Sequence, residues 1–228
     1  MPRFFALLPA AGVGARMGAE CPKQYLPLAG HTMLWHAINA FERAAAVERT
    51  YVVLSPEDAY WNGHDWSALD KLKVLRCGGA TRAESVRNGL HAIAGEVAGE
   101  DWILVHDAAR PCLGREMLDK LLAELATDPV GGILAAPVAD TLKRQTAAGR
   151  IAETVSREGL WGAQTPQMFP HGLLLRALEH AGTAVTDEAS AVEALGLSPR
   201  LVESDMTNLK VTFPRDLEVA EWLLGRRA

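Results

Sequence analysis

Short apolar runs alternate with helical patterns along this chain, and that alternation narrows the folds open to it more than any other feature. The runs are Phe4-Phe5-Ala6-Leu7-Leu8, Tyr51-Val52-Val53-Leu54, Leu72 to Leu75, Trp102-Ile103-Leu104-Val105 and Gly132-Ile133-Leu134-Ala135-Ala136. Runs of this length suit strands covered on both faces, as in a parallel sheet. Between them, residues 32–45 carry Leu34, Ala37, Ile38 and Phe41 at helical spacing. Residues 115–126 do the same with Met117, Leu118, Leu121, Leu122 and Leu125. Residues 81–94 open on Thr81-Arg82-Ala83-Glu84, a capping box whose hydroxyl and carboxylate satisfy free amides at a helix start. Strand–helix alternation predicts a layered α/β fold with a mostly parallel sheet.

The pattern breaks near residue 138. Thr141 to Gln145 and Ile151 to Val155 are β-prone and flank the polar turn Thr146-Ala147-Ala148-Gly149-Arg150, which predicts an antiparallel hairpin. A hairpin this small cannot hold a core of its own, so it is expected to pack on something else, such as a second subunit. Helices are expected near 171–180 and 187–195, a strand pair near 200–212, and a last helix from Pro214, a residue suited to the first helical position.

Composition excludes several classes. The 228 residues carry a net charge of −5, so broad nucleic-acid binding through a basic surface is not expected. Any positive charge that meets a polyanion must be local. No apolar stretch is long enough for a membrane span, and the apolar start at Phe4 is read as a buried strand, not a signal segment. Cys21, Cys77 and Cys112 are odd in number and lack metal-pair spacing, which reads as reduced thiols in a cytoplasmic protein.

Chemistry gathers where the first strand ends, at Leu8-Pro9-Ala10-Ala11-Gly12-Val13-Gly14-Ala15-Arg16-Met17-Gly18. Small residues there let a ligand approach the backbone, and exposed amides can cradle phosphate. The dinucleotide fingerprint would need a small residue at position 17, where Met17 stands, and the P-loop pattern is absent. Arg16, with Lys23 in the following Cys21 to Leu28 loop, offers a guanidinium fork and a point charge to one triphosphate. Either cation alone reads as solvated; two in one loop point to phosphoryl-type chemistry. Gly78-Gly79, ahead of the capped helix and Ser85, reads equally as a turn or as a loop that approaches a base. Asp107 closes the fourth strand, where α/β sheets bind ligands, and suits an indirectly held metal, a ribose or a phosphate-bearing group. His106 reads as a buried, hydrogen-bonded histidine, not a general base.

Leu8 to Gly18, Pro22 to Pro27, Gly78 to Val86, Val105 to Pro111, Leu160 to Pro166, Thr186 to Ser190 and Asn208 to Thr212 resemble, in order, the motifs of the 2-C-methyl-D-erythritol 4-phosphate cytidylyltransferases. The resemblance runs along essentially the whole chain. It implies a single Rossmann-like α/β nucleotidyltransferase domain: a mostly parallel sheet with helices on both faces and a protruding β-arm, at about 138–158, used in dimerisation. It implies CTP and a small polyol phosphate as substrates, a divalent metal such as Mg²⁺ carried mainly by the CTP phosphates, and a homodimer. Arg16 and Lys23 match transition-state stabilisers. Pro9, Ala10, Ala11, Gly12, Val13 and Gly14, with Gly79, Ala80 and Ser85, match the CTP surface. Asp107, Arg110, Thr186 and Lys210 match the acceptor site, and Thr165 lies in the matching Thr-Pro-Gln segment. Thr141 and Arg157 match residues lent by the other subunit, and Arg157 and Lys210 match the pair that holds the acceptor phosphate in line. The chain departs from the family pattern at Ala80 and Thr207, where acids are expected.

Three rival readings stand beside this one. The same reaction on ribitol 5-phosphate would use much of the same pattern. A nicotinamide oxidoreductase is opposed by Met17 and by the lack of a clear ribose-binding acid after the second strand. A non-catalytic nucleotide binder would not need both Arg16 and Lys23.

Overall fold

The computed structural model of the protein describes residues 2–12, 21–182 and 185–226. The chain opens with β1 (Phe4–Pro9), the two-residue strands β2 (Pro27–Leu28) and β3 (His31–Thr32), and helix α1 (Met33–Glu42). There follow β4 (Val47–Val53), β5 (Leu72–Leu75), α2 (Arg82–Ile93), β6 (Trp102–Val105), α3 (Arg115–Leu125) and β7 (Gly132–Pro137). The hairpin β8 (Leu142–Gln145) and β9 (Ile151–Val155) comes next, then β10 (Trp161–Pro170), α4 (His171–Ala181), α5 (Glu188–Glu193), β11 (Arg200–Glu203) and α6 (Pro214–Gly225).

Seven strands form the central sheet in the order β11-β7-β10-β6-β1-β4-β5. Neighbours are parallel except where β10 runs antiparallel between β6 and β7. Because strand side chains alternate, each central strand feeds two cores. Phe5, Leu7, Val53 and Val105 pack with Val86 and Leu90 of α2 and Leu174 of α4. Ala6, Leu8, Val52 and Leu104 pack on the opposite face with Ile38 of α1 and Leu121 of α3. Fully burying one such Leu or Ile contributes roughly 2 kcal/mol, so neither face is dispensable. The helix starts follow their sequence signals. Thr32 accepts a hydrogen bond from the Trp35 N–H, Thr81 and Glu84 form the expected capping box, and Pro214 occupies the first turn of α6.

Helices on both faces and the mostly parallel sheet agree with expectation, as does the β8–β9 hairpin, which forms a separate, largely exposed two-stranded sheet. Two elements differ. The strand pair expected near 200–212 is one strand, β11. Residues 204–213 are irregular, because their backbone groups go to loops instead of a ladder: the Val211 N–H bonds the Ala109 carbonyl at 2.8 Å, and the Val211 carbonyl takes Lys23 Nζ at 3.1 Å. The second difference is β10, a central strand where the sequence suggested none. Gly162, Pro166 and Pro170 punctuate it, and prolines argue against a central strand. The sheet accommodates Pro166 where the register of β10 against β7 slips, between Ala163 and Gln167.

Candidate active site

Three loops converge at the carboxyl ends of β1, β5 and β6. After Pro9, the Ala10 N–H still bonds the Val53 carbonyl at 2.8 Å, and the chain then leaves the sheet. Gln24, in the 3-10 turn Lys23–Tyr25, fixes this departure: its Nε2 donates to the Ala10 carbonyl at 2.8 Å and the Gly12 carbonyl at 3.0 Å. The next loop lies directly against it. A Cβ on Gly78 would stand 2.4 Å from Ala11 Cβ and 2.8 Å from the Leu54 carbonyl oxygen, so the close approach requires glycine. Gly79 is held by Ser85, whose hydroxyl accepts the Gly79 N–H at 3.1 Å and donates to the Thr81 carbonyl at 2.9 Å. Together Pro9 to Gly12, Gly79, Ala80 and Ser85 line a cavity of about 300 Å³, into which Lys23 also faces.

A second cavity of about 200 Å³ adjoins it, lined among others by Arg110, Thr165, Gln167 and Thr186. Arg82, Asp107 and Lys210 line both. One cavity is walled by small residues and backbone, the other by charged and hydroxyl groups, and three charged side chains form the seam between them.

Asp107 organises that seam. Its Oδ1 accepts from Arg82 Nε at 2.9 Å and its Oδ2 from Lys210 Nζ at 2.8 Å, with Arg110 Nε 3.8 Å away. Burial works against the carboxylate, but Arg82 and Lys210 outweigh it and hold its pKa well below the usual carboxylate range. Arg82 is anchored from behind. Its two terminal nitrogens grip both oxygens of Glu188 at 2.7 and 3.0 Å, and the Glu188 side chain is only 1% exposed. Burial lowers the Arg82 pKa, yet Glu188 and Asp107 raise it above the ordinary guanidinium value. Two helix caps create this pair, since Arg82 and Glu188 each follow an N-cap, Thr81 and Asp187.

His106 sits behind Asp107, fully buried, and burial lowers its pKa to about 4. The neutral ring donates from Nε2 to the Arg110 carbonyl at 3.0 Å and accepts the Thr165 hydroxyl at Nδ1, at 2.9 Å. The same Thr165 oxygen accepts the Asp107 N–H at 3.0 Å. His106 is thus the buried, hydrogen-bonded residue that the sequence suggested, and Thr165 ties β10 to the end of β6.

Most of the expected site residues meet here, but not all. Arg16, Val13 and Gly14 lie outside the described residues. Thr141 and Arg157 are exposed near the hairpin and line neither cavity of their own chain. Lys210 takes its orientation from Asp107, so the Thr207 departure leaves that contact intact. The sequence reading assigned no role to Arg82, Glu188, Gln24 or Asn208. The fully buried Asn208 side-chain amide donates to Gln164 Oε1 and the Thr165 carbonyl, while the Asn208 backbone carbonyl accepts from Arg110 Nη1 at 2.6 Å. The capping boxes were the available signal for Arg82, since they mark its helix start; nothing local signals its pairing with Glu188.

Among the described residues no three His, Cys, Asp or Glu side chains converge as a cage. Asp107, the one candidate, is engaged by cations on both oxygens. Among the described residues, Lys23, Arg82, Arg110 and Lys210 are partly offset by Asp107, Asp187 and Glu188, which leaves less positive charge than a triphosphate carries negative. The site therefore fits a hard divalent ion that arrives on phosphate oxygens.

Small-residue loops at parallel strand ends, opening into a cation-lined double cavity, define an α/β nucleotidyltransferase. The family model for 2-C-methyl-D-erythritol 4-phosphate cytidylyltransferase matches residues 4–226. The chain belongs to that family. It is 59% identical over 228 residues to the 2-C-methyl-D-erythritol 4-phosphate cytidylyltransferase of Dechloromonas aromatica, covering all of both chains. It is 60% identical over 227 residues to that of Azoarcus sp., covering 99% of this chain and 96% of the relative. Among solved structures, a 4-diphosphocytidyl-2C-methyl-D-erythritol synthase superposes with a TM-score of 0.87 at 48% identity, covering 98% of this chain and 99% of the other. The Francisella tularensis 2-C-methyl-D-erythritol 4-phosphate cytidylyltransferase gives 0.83 at 35% identity, covering 97% and 99%.

Proposed function

We propose that this chain transfers the cytidylyl group of CTP to the phosphate of 2-C-methyl-D-erythritol 4-phosphate, giving 4-diphosphocytidyl-2-C-methyl-D-erythritol and pyrophosphate. The observation that carries the proposal is the pair of joined cavities with Lys210 and Asp107 at their seam. CTP occupies the cavity formed by Pro9 to Gly12, Gly79, Ala80 and Ser85, and the resemblance adds Val13, Gly14 and Arg16 to its binding residues. The acceptor occupies the other, against Arg110, Thr165 and Thr186. An acceptor phosphate oxygen bonds to the α-phosphorus of CTP, the bond to the β-phosphate bridging oxygen breaks, and that oxygen leaves with its electron pair on pyrophosphate. The attacking oxygen is already anionic, so no general base is required, in keeping with a neutral, buried His106. Lys23 and Arg16 stabilise charge on the crowded α-phosphate, while Lys210 and Arg157 hold the acceptor in line. A divalent cation, Mg²⁺ in this reading, would be held mainly by the triphosphate oxygens and would supply charge neutralisation there, with Asp107 reaching it at most indirectly.

The proposal includes a homodimer. Arg157 and Thr141 are exposed on and beside the hairpin of their own chain, which supports their serving the site of a second copy. It also includes work in the cytoplasm, which the three free thiols support; no described helix is long and apolar enough to cross a membrane.

The test is pyrophosphate release with CTP and either 2-C-methyl-D-erythritol 4-phosphate or ribitol 5-phosphate, and with ATP in place of CTP. Turnover is expected with CTP and the erythritol phosphate, and strong rejection of ATP, because a site built for one base leaves polar groups unpaired with another. Preference for ribitol 5-phosphate, or equal use of ATP, overturns the assignment.

A further inference from the structure

Glu188 lines neither cavity, and its side chain is 1% exposed, yet the polar network of the site begins there. Both carboxylate oxygens hold the Arg82 terminal nitrogens, at 2.7 and 3.0 Å. This bidentate grip fixes the plane of the guanidinium, and the remaining Nε is left pointing at Asp107 Oδ1, at 2.9 Å. With Oδ1 occupied, Oδ2 is the oxygen that takes Lys210 Nζ, at 2.8 Å. Along the chain of contacts the side chains of Glu188, Arg82, Asp107 and Lys210 are 1%, 30%, 9% and 42% exposed, so the two ends are its least and its most exposed members. The buried end is thus the fixed point, and the exposed end is the ammonium that faces both cavities.

We infer that Glu188 is a positioning residue for the transfer reaction, acting on Lys210 through Arg82 and Asp107. The inference rests on the proposed reaction for the identity of the acceptor. Without the Glu188 charge, Arg82 has one carboxylate left within reach, that of Asp107. It then competes with Lys210 for both oxygens, and the ammonium loses its fixed place at the seam. A purely structural role, joining the first turns of α2 and α5, would predict something else: a general loss of stability and activity with no connection to Lys210.

Steady-state pyrophosphate release from wild type, Glu188→Gln, Lys210→Gln and the double variant separates the two. Glu188→Gln is expected to raise KM for the acceptor roughly tenfold, because neighbours in one ion-pair network couple strongly. KM for CTP should stay within about twofold, since the Gly79 and Ala10 loops do not depend on Glu188. In the Lys210→Gln background the same substitution should add little, within about twofold, because its target is gone. Penalties that multiply across the two sites, or a Glu188→Gln defect that falls equally on CTP, overturn the inference. If circular dichroism shows Glu188→Gln to be unfolded, Glu188→Asp enters the cycle under the same criteria. Wild-type turnover checks the underlying reaction separately: a silent wild type removes the assigned acceptor, whereas an active wild type with multiplying penalties removes only the relay.

Discussion

Lys210 and Asp107 meet at 2.8 Å, ammonium on Oδ2, where the two cavities join. The lysine is 42% exposed and the aspartate 9%, so the contact works more as a mount for a substrate-facing charge than as a prop for the fold.

Asp107→Asn should nevertheless destabilise the protein at neutral pH, by on the order of 2–3 kcal/mol, because Arg82 and Arg110 lose their shared counter-charge. The folded-state pKa of Asp107 is depressed from 3.8, so its stabilisation is present above that value and fades as pH falls towards the lower folded value. Urea denaturation at about pH 7 and about pH 3 should therefore show the gap between variant and wild type narrowing in acid. A constant gap would contradict the ionised, paired state of Asp107.

His106 makes a second pH-dependent contribution, at milder acidity. Its folded pKa is about 4 against an ordinary 6.5, so between these values the unfolded chain binds a proton that the native state refuses. Wild type should lose on the order of 3 kcal/mol over that interval. His106→Gln removes the titration and should flatten the stability profile there, whatever its effect at neutral pH. Parallel profiles for the two proteins would mean that the imidazole becomes charged inside the fold.

Gly78→Ala should damage the nucleotide side of the site. The new methyl meets Ala11 Cβ and the Leu54 carbonyl far inside contact distance, and backbone must move to relieve it. A loss of about 1–3 kcal/mol and a raised KM for CTP are expected. Gly95→Ala, whose Cβ would meet nothing within 4 Å, serves as the control and should leave KM unchanged. Equal KM values for the two variants would show that the Ala11 loop tolerates displacement.

Lys23→Ala should lower kcat by on the order of 10²–10³ while weakening CTP binding less, the pattern of a group that acts mainly on the transition state. Arg16→Lys should not restore full rate, because an ammonium lacks the guanidinium fork. Near-normal kcat in a folded Lys23→Ala protein would mean that the Lys23 charge does little for the transition state.

Mixing Lys23→Ala with Arg157→Ala should restore activity that neither variant has alone. A dimer that trades hairpins would contain one site free of both lesions. Absence of recovery, with subunit exchange demonstrated by differently tagged chains, would mean that each chain completes its own site.

The sheet was legible where sequence and environment agree locally. Trp102 to Val105 is apolar because both of its faces are buried, and Thr81 to Glu84 reads as a cap because capping is a matter of four neighbouring residues. Strand β10 was not legible, because Gln164, Thr165 and Gln167 are buried by hydrogen bonds to distant partners, not by apolar character. The site divided in the same way. Glycines and clustered cations marked the loops, and ordered motifs suggested the roles of Asp107 and Lys210. The partnership of Arg82 and Glu188 spans 106 positions and leaves no local trace. Arg157 was assigned by likeness alone, and it lines neither of the two cavities described above.

The alternation of β1 between two cores has a consequence for the loop that follows. Leu7 and Leu8 are committed to opposite faces, and the chain leaves the sheet two residues later, after Ala10, so the strand indexes the loop as a keyed shaft indexes a cam. One residue inserted between Phe4 and Pro9 would exchange the two cores and present the loop half a turn out of phase. Sheet, glycines and cations could all survive such an insertion, and the nucleotide would still face the wrong side of the chain.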